Sequence, residues 1–265
     1  MKKFGEYFAI IFVLTIVVAA VLVVIISGDR STHMHYVCIE CNPRVEFLTD
    51  DDHKVKSYKP LNQEAKELLI NEDIIGLNMD DATNKFLTLC ARAGYLKADG
   101  ANNAVKLTVL SGINQALEVK LASTINNFFV DNNILGVLVE SPQDLQQYKD
   151  AKKLGMCSEK YDLAMAVKES YSDIELSDLK KLSNSELVKM IEYSHNNFNY
   201  SYTDKELSSK TQLIEYYSPI YDEHISKITP DSTREFKTKL KSFRAQNTKD
   251  YKVDFNKKYN EWLVG

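Results

Sequence analysis

Glycine and proline are scarce in this chain, with nine and five residues among 265. Long flexible linkers are rich in these residues, so none is expected. The imbalance of charge is also small, since the formal net charge is -4. A charge of that size gives no reason to expect a nucleic-acid partner. The hydrophobic (44%) and charged (26%) fractions are those of a globular chain with a buried core and room for one or two domains.

Cysteine is scarce as well, and its four residues are Cys38, Cys41, Cys90 and Cys157. The number is even, but it is far from the dense disulfide framework of a small secreted protein. Cys38 and Cys41 form a C-x-x-C pair inside a strand-like pattern, where residues three apart point to opposite faces. Neither a redox site nor a zinc site is therefore predicted, and we expect no metal and no cofactor. The sequence also contains no nucleotide-binding loop, His-Glu zinc signature or nucleophile elbow, so a turnover enzyme is not expected.

One long apolar run is present near the N-terminus. Residues 8–26 carry no charge and are interrupted only by Thr15. At about 1.5 Å per residue the run spans roughly 28 Å, close to the hydrocarbon thickness of a bilayer. We therefore predict a cytoplasmic tail (residues 1–7), a single transmembrane helix (residues 8–27) and an extracellular bulk, because Lys2 and Lys3 favour an inner N-terminus. A cleaved signal peptide is the alternative, but its apolar region is usually shorter.

A strict alternation of apolar and polar residues follows a short polar stalk over residues 28–35. Its apolar members are Val37, Ile39, Cys41, Pro43, Val45 and Phe47. Period two predicts one long, half-buried strand over residues 37–47. A turn at residues 50–52 and a second strand over residues 54–59 complete a predicted hairpin.

Strands and helices mix through the following part of the chain. Apolar stripes and caps predict helices near residues 62–69, 82–93, 113–128, 145–154, 158–167 and 183–190. Further strands are predicted over residues 105–109 and 135–139. The predicted fold class is therefore α+β, a mixed sheet with packed helices, with an α/β layer as the alternative.

The composition changes after about Tyr193. Residues 194–203 are rich in asparagine, tyrosine and serine and are interpreted as a linker between residues 36–193 and a helical segment over residues 194–265. That segment is predicted to be an αα-hairpin, with a kink at Pro219 and a capping box at Ser232 and Glu235. Its basic end, residues 234–258, is interpreted as the solvated face of the hairpin, or as a surface for an anionic cell-wall polymer or the outer membrane face. The aromatic row Tyr251, Phe255, Tyr259 and Trp262 is interpreted as a core stripe, or as a row that stacks on sugar rings.

The pair Asn42-Pro43 is the most informative in the sequence. Proline has no N–H and is excluded from central strands except at bulges, so an edge strand or a bulge is one explanation. The other is chemical, because the amide of Asn42 could attack its own carbonyl carbon and release Pro43 as a new N-terminus. A fold accelerates such a step by holding the geometry and polarising the carbonyl. Glu40, Arg44 and Glu46 share the predicted face of Asn42, as assistants or as solvated charges.

The segment YVCIECNPRVEF at residues 36–47, placed after an apolar span, resembles the start of the extracytoplasmic region of RsgI-type anti-sigma factors. The likeness continues at residues 55–62, 79–95, 153–158 and 176–183, so it covers about residues 36–192. The resemblance implies a transmembrane signalling protein of Gram-positive bacteria whose inner domain holds a sigma factor of the SigI type. It also implies self-cleavage at Asn42–Pro43, with halves that stay associated until loss of the outer one exposes the remainder to proteolysis.

Two features depart from the family pattern. Arg44 stands where the family usually has serine after the proline, and only seven residues precede the predicted span. The expected partners are therefore the lipid bilayer, a separately encoded sigma-binding protein, a membrane protease and a cell-wall polymer, with no nucleic acid. The alternative is a membrane-anchored extracellular interaction or structural module without self-cleavage or sigma-factor control.

Overall fold

The computed structural model describes residues 34–98, 103–110, 116–140 and 145–264. Residues 34–265 form one compact unit. Within the described ranges, no helix combines the length and the apolar character that crossing a membrane requires. The predicted tail, the predicted span over residues 8–27 and nearly all of the predicted stalk lie outside those ranges.

A mixed sheet of five strands forms the centre of the described part. Its order is β3-β2-β1-β4-β5, with β1 in the middle. The strands are β1 (His35–Glu40), β2 (Arg44–Thr49), β3 (Val55–Pro60), β4 (Asn103–Leu110) and β5 (Gly136–Glu140). The pairs β3–β2, β2–β1 and β1–β4 are antiparallel, whereas the pair β4–β5 is parallel. The prediction of an α+β fold with a mixed sheet is confirmed.

The single long strand predicted over residues 37–47 is wrong, because the chain turns back on itself at Asn42. Strands β1 and β2 form a tight hairpin in which Glu40 pairs with Arg44 and Ile39 with Val45. The loop between them has an odd number of residues, so facing residues keep the same parity along the chain. The alternation therefore continues through the turn as if the strand were unbroken, and periodicity alone does not reveal it.

Nine helices surround the sheet in the described residues. They are α1 (Gln63–Leu68), α2 (Met79–Arg92), α3 (Ala116–Asp131), α4 (Leu145–Leu154), α5 (Ser158–Ser170), α6 (Leu176–Leu179), α7 (Asn184–Asn196), α8 (Asp204–Ser226) and α9 (Pro230–Val264). Asn62 caps α1 and Ser183 forms a capping box with Glu186 at α7, both as predicted.

Helices cover both faces of the sheet, so the predicted half-buried hairpin is in fact buried on each side. Val37, Ile39 and Phe47 belong to a large core with residues of α2 and α3. Tyr36 and Leu48, on the other face, pack in a second core with residues of α5 and α7. The strands read as amphipathic because the second face also carries polar side chains, which are paired inside the protein rather than solvated.

The C-terminal helices pack against the rest of the compact unit. Helix α8 contacts α1 and α2, while α9 contacts β5 and α3. Pro219 lies inside the continuous helix α8. The predicted cap of α9 is wrong: the Ser232 N–H donates to Thr229 Oγ1 at 3.2 Å, so Thr229 rather than Ser232 precedes the helix. The predicted linker is also partly wrong, because α7 extends to Asn196 and His195 is buried.

Candidate functional site

The Asn42–Pro43 bond lies in the hairpin loop between β1 and β2. Asn42 is exposed and Pro43 is buried. The φ angle of Asn42 is 87°, in the left-handed region that asparagine tolerates better than most residues. The loop is closed by a hydrogen bond in which the Cys41 N–H donates to the Pro43 carbonyl at 3.1 Å. The turn therefore presents the Asn42 side chain to solvent while its following residue is fixed in the protein.

The side chain of Asn62 forms hydrogen bonds to the main chain on both sides of the Asn42–Pro43 bond, and these contacts are called the Asn62 clamp below. Asn62 Nδ2 donates to the Asn42 carbonyl oxygen at 2.6 Å. Asn62 Oδ1 accepts from the Arg44 N–H at 2.9 Å and from the Ala65 N–H at 3.1 Å. The same amide thus caps α1 and holds the main chain before and after Pro43.

The position of Asn62 follows from the order of the elements. Strand β3 pairs with β2 and ends at Pro60, beside the start of β2. The Leu61 N–H donates to the Arg44 carbonyl at 2.8 Å, which extends the pairing by one step. Asparagine is a preferred residue at the start of a helix, where its oxygen accepts an unpaired main-chain N–H. Its amide nitrogen then remains to reach the hairpin loop.

A donor on the Asn42 carbonyl is the element that intramolecular cleavage requires. A hydrogen bond to the oxygen polarises the carbonyl carbon and stabilises the negative charge that develops there during attack. Pro43 has no N–H, so the usual attack of the following main-chain nitrogen on the asparagine side chain is closed. The arrangement can therefore support attack by the Asn42 amide on its own carbonyl.

The side chain of Arg44 is engaged away from the loop. It forms an ion pair with Glu169 of α5 and lies 3.9 Å from Glu40 at Nε. Burial raises the pKa of the Glu169 carboxyl above its ordinary value, by more than the nearby Arg44 lowers it. What residue 44 supplies to Asn62 is its main-chain N–H, which a serine would supply equally. The alternative of a simply solvated charge does not hold for Arg44, because its guanidinium pairs with Glu169 of α5.

A buried polar chain joins the hairpin to α7. Ser57 Oγ lies 2.8 Å from His195 Nδ1, and His195 Nε2 lies 3.0 Å from Glu46 Oε1. The order serine, histidine and carboxylate is that of a hydrolytic triad. All three side chains are buried, however, so a substrate has no route to the serine. These hydrogen bonds therefore fix α7 on the sheet. Glu46 is buried and bonded to His195, so it is not a solvated charge, and its described bond is to α7 rather than to the hairpin loop. No sequence pattern identifies His195, because it lies in the asparagine-, tyrosine- and serine-rich stretch that is interpreted as a linker.

Helix α8 is anchored to the helix that carries Asn62. Glu206, in the first turn of α8, accepts hydrogen bonds from Gln63 Nε2 and Lys66 Nζ, each at 2.9 Å. It also forms a capping box with Thr203. The hydrogen bond from Gln63, followed by those from Lys66 and Thr203, lowers the pKa of the Glu206 carboxyl to about 2. This contact joins the C-terminal helices to α1, one residue from the clamp.

The described residues hold no group of three or more histidine, cysteine or acidic side chains that could bind a metal ion. The aromatic row Tyr251, Phe255, Tyr259 and Trp262 lies in the C-terminal part of α9, and its side chains are outside what the structure describes.

The sequence model of the anti-sigma factor RsgI-like central domain matches residues 34–166. This chain belongs to that family. The matched region begins at β1 and contains the hairpin loop, the Asn62 clamp, the whole sheet, helices α1 to α4 and the first part of α5. The recognition made from the segment around Asn42-Pro43 is thus confirmed.

Two relatives from Acetivibrio thermocellus extend the match. The anti-sigma-I factor RsgI7 is 25% identical over 181 residues, which are 66% of this chain and 33% of the relative. The anti-sigma-I factor RsgI9 is 24% identical over 178 residues, which are 64% of this chain and 25% of the relative. The aligned part of this chain thus spans between a quarter and a third of the length of these relatives.

Proposed function

We propose that this protein is a membrane-anchored, anti-sigma-factor-like signalling protein whose outer domain cuts itself at Asn42–Pro43 and stays together afterwards. The membership of the RsgI-like family and the names of the two relatives support the signalling role. The apolar run over residues 8–26 supports the anchor, with the compact unit outside the cell. The hydrogen bond from Asn62 Nδ2 to the Asn42 carbonyl carries the proposal of self-cleavage.

The cleavage step is a balanced rearrangement. The Asn42 Nδ2 atom attacks the Asn42 carbonyl carbon, and a new C–N bond closes a five-membered succinimide. The bond from that carbon to the Pro43 nitrogen breaks, and one amide proton passes to that nitrogen, which becomes a free secondary amine. Asn62 Nδ2 stabilises the oxyanion that forms between attack and departure. No water, metal or cofactor takes part until the succinimide hydrolyses.

Strand β1 holds the two halves together after the cut. It would belong to the N-terminal fragment, while both of its neighbours, β2 and β4, would belong to the C-terminal fragment. Its residues Tyr36, Val37 and Ile39 are buried. Full burial of an apolar side chain contributes about 1.5–3 kcal/mol, so these three favour association by several kcal/mol beyond the strand pairing. A central strand can therefore hold the two fragments together without a covalent bond, and the N-terminal fragment can still separate from the C-terminal one when force is applied.

The partners follow from this arrangement. The bilayer holds the N-terminal fragment, and a sigma-binding element acts on the inner side. Withdrawal of the C-terminal fragment leaves β1 without its neighbours and makes the remaining stub a substrate for a membrane protease. A cell-wall polymer bound by the outer domain would supply the pull.

The test compares the full chain with the variant Asn42→Gly on denaturing gels run with reductant. Glycine adopts a φ of 87° without strain and has no attacking amide, so the loop stays intact while the chemistry is removed. We expect two fragments from the natural chain, one chain from the variant, and co-elution of the fragments in non-denaturing detergent. A single uncut natural chain would favour the alternative, an anchored interaction module without self-cleavage.

A further inference from the structure

Two of the four cysteines meet in the core beside the hairpin loop. Cys41 Sγ lies 3.0 Å from Cys90 Sγ, although the residues are 49 positions apart in the sequence. Cys41 is 4% exposed and Cys90 is fully buried. A disulfide bond is about 2.05 Å long, so a movement of about 1 Å brings these sulfurs to bonding distance.

The other two cysteines have no comparable position. Cys38 packs in the second core, on the opposite face of the sheet from Cys41. Cys157 is exposed and precedes α5. The fold therefore selects one pair, Cys41 and Cys90, and leaves Cys38 of the C-x-x-C motif on the opposite face of the sheet.

The pair spans the bond proposed to be cut. Cys41 is the residue before Asn42 and lies on the N-terminal side of the bond. Cys90 lies in α2 (Met79–Arg92), on the C-terminal side. A covalent link between them would join the two sides through a second path, independent of the main chain.

We propose that Cys41 and Cys90 form a disulfide that ties the segment ending at Asn42 covalently to the rest of the chain. The two thiols lose two protons and two electrons to an external disulfide, which is reduced to two thiols by exchange. The extracellular side is the compartment in which such a bond persists. The disulfide rests on this geometry and on the proposed extracellular placement, whereas its effect on fragment release also rests on the proposed self-cleavage.

The order of events follows from burial. Exchange requires a thiolate that the oxidant can reach. Burial, with the hydrogen bond from Cys41, raises the pKa of the Cys90 thiol well above its ordinary value, so this thiol stays protonated in the folded protein. Oxidation therefore takes place while the chain folds, before α2 closes over the loop. The finished bond is then shielded from reductants by the same packing.

The redox state of this disulfide would therefore decide whether the N-terminal and C-terminal fragments can separate. With the thiols reduced, a cut at Asn42–Pro43 leaves β1 held by strand pairing and packing only. With the disulfide formed, the same cut leaves the halves covalently joined, and withdrawal of the outer domain transmits no signal until the bond is reduced.

The experiment counts thiols in the full chain. Membranes are denatured in the presence of iodoacetamide, and the blocked cysteines are identified by peptide mass spectrometry. A second sample is unfolded and refolded in detergent with oxidised glutathione before blocking. We expect two of the four cysteines to be blocked, Cys38 and Cys157, and a Cys41–Cys90 linked peptide. Four blocked cysteines in both samples, or a link that includes Cys38 or Cys157, would overturn the proposal.

Gels without and with reductant separate the two claims. A full-length band that reductant resolves into two fragments supports both the disulfide and the cut. A single band under both conditions with two blocked cysteines supports the disulfide and overturns the cut. The variant Cys90→Ala should yield separate fragments without reductant. The matched variant Cys38→Ala should behave like the natural chain, because Cys38 also precedes the cut but packs in the second core, away from Cys90.

Discussion

Replacement of Asn62 by aspartate isolates the contact that carries the proposed chemistry. Aspartate keeps an oxygen for the Arg44 and Ala65 N–H groups, which Asn62 Oδ1 accepts at 2.9 and 3.1 Å. Aspartate is as good a helix cap as asparagine, so α1 is retained. The change removes only the donor to the Asn42 carbonyl, now at 2.6 Å, and places a negative charge where the oxyanion would form.

The size of the effect follows from the exposure of the site. Removal of one donor from a buried oxyanion hole slows a reaction by about 10²–10³, or roughly 2.7–4 kcal/mol. Asn42 is exposed, so water replaces part of the lost hydrogen bond, whose net value is then about 0.5–1.5 kcal/mol. We expect cleavage of the Asn62→Asp variant to be about tenfold slower, which corresponds to about 1.4 kcal/mol in the barrier. This is near the upper end of that range because the added negative charge also opposes the oxyanion.

The assay follows newly made full-length chain over time on denaturing gels at pH 7. Urea unfolding of the variant checks that its stability remains close to that of the natural chain. The variant Asn62→Ala is the second control, since it should lose about 1 kcal/mol of stability with its cap as well as the cleavage. Cleavage of Asn62→Asp at the natural rate, with the fold intact, would refute the role assigned to the amide nitrogen.

Three further outcomes are expected. The Ile39→Ala variant should lose about 2–5 kcal/mol, measured with reductant present as release of the cut N-terminal fragment at a lower urea concentration. An unchanged midpoint would show that β1 does not hold the halves. The pKa of Glu206 is lowered from 4.5 to about 2, so the stability it contributes is present above pH 4.5 and is lost as the pH falls toward 2; the free energy of unfolding of Glu206→Gln, measured at pH 6 and pH 3, should differ from that of the natural chain more at pH 6. Gly94 and Gly76 both have positive φ, but a Cβ at Gly94 would lie 2.6 Å from the Tyr217 ring of α8, whereas one at Gly76 meets nothing within 4 Å. Thermal unfolding should therefore show a larger loss of stability for Gly94→Ala than for Gly76→Ala. Equal losses would contradict the packing of α8 against Gly94.

The sequence predicted the local elements well because their signals are local. Alternation located the strands, and caps such as Ser183 located helix starts. The turn at Asn42 was missed for a physical reason, since an odd loop preserves the alternation across a hairpin. The coverage of both sheet faces was missed because buried polar residues such as Glu46 read as solvated ones.

The candidate site was only half visible in the sequence. The Asn42-Pro43 pair identifies the bond by its own chemistry. Asn62 was recognised as a helix start, but its hydrogen bond to a residue 20 positions earlier depends on the pairing of β3 with β2. The approach of Cys90 to Cys41 likewise depends on how α2 packs under the sheet, which no local pattern encodes.

The central claim is that the chain cuts itself between Asn42 and Pro43. The most direct test is intact mass and N-terminal sequencing of the purified full chain after denaturation and reduction. We expect two fragments, one of which begins at Pro43, and a single chain for Asn42→Gly. One uncut mass from the natural chain, or a fragment that begins at any other residue, would contradict it.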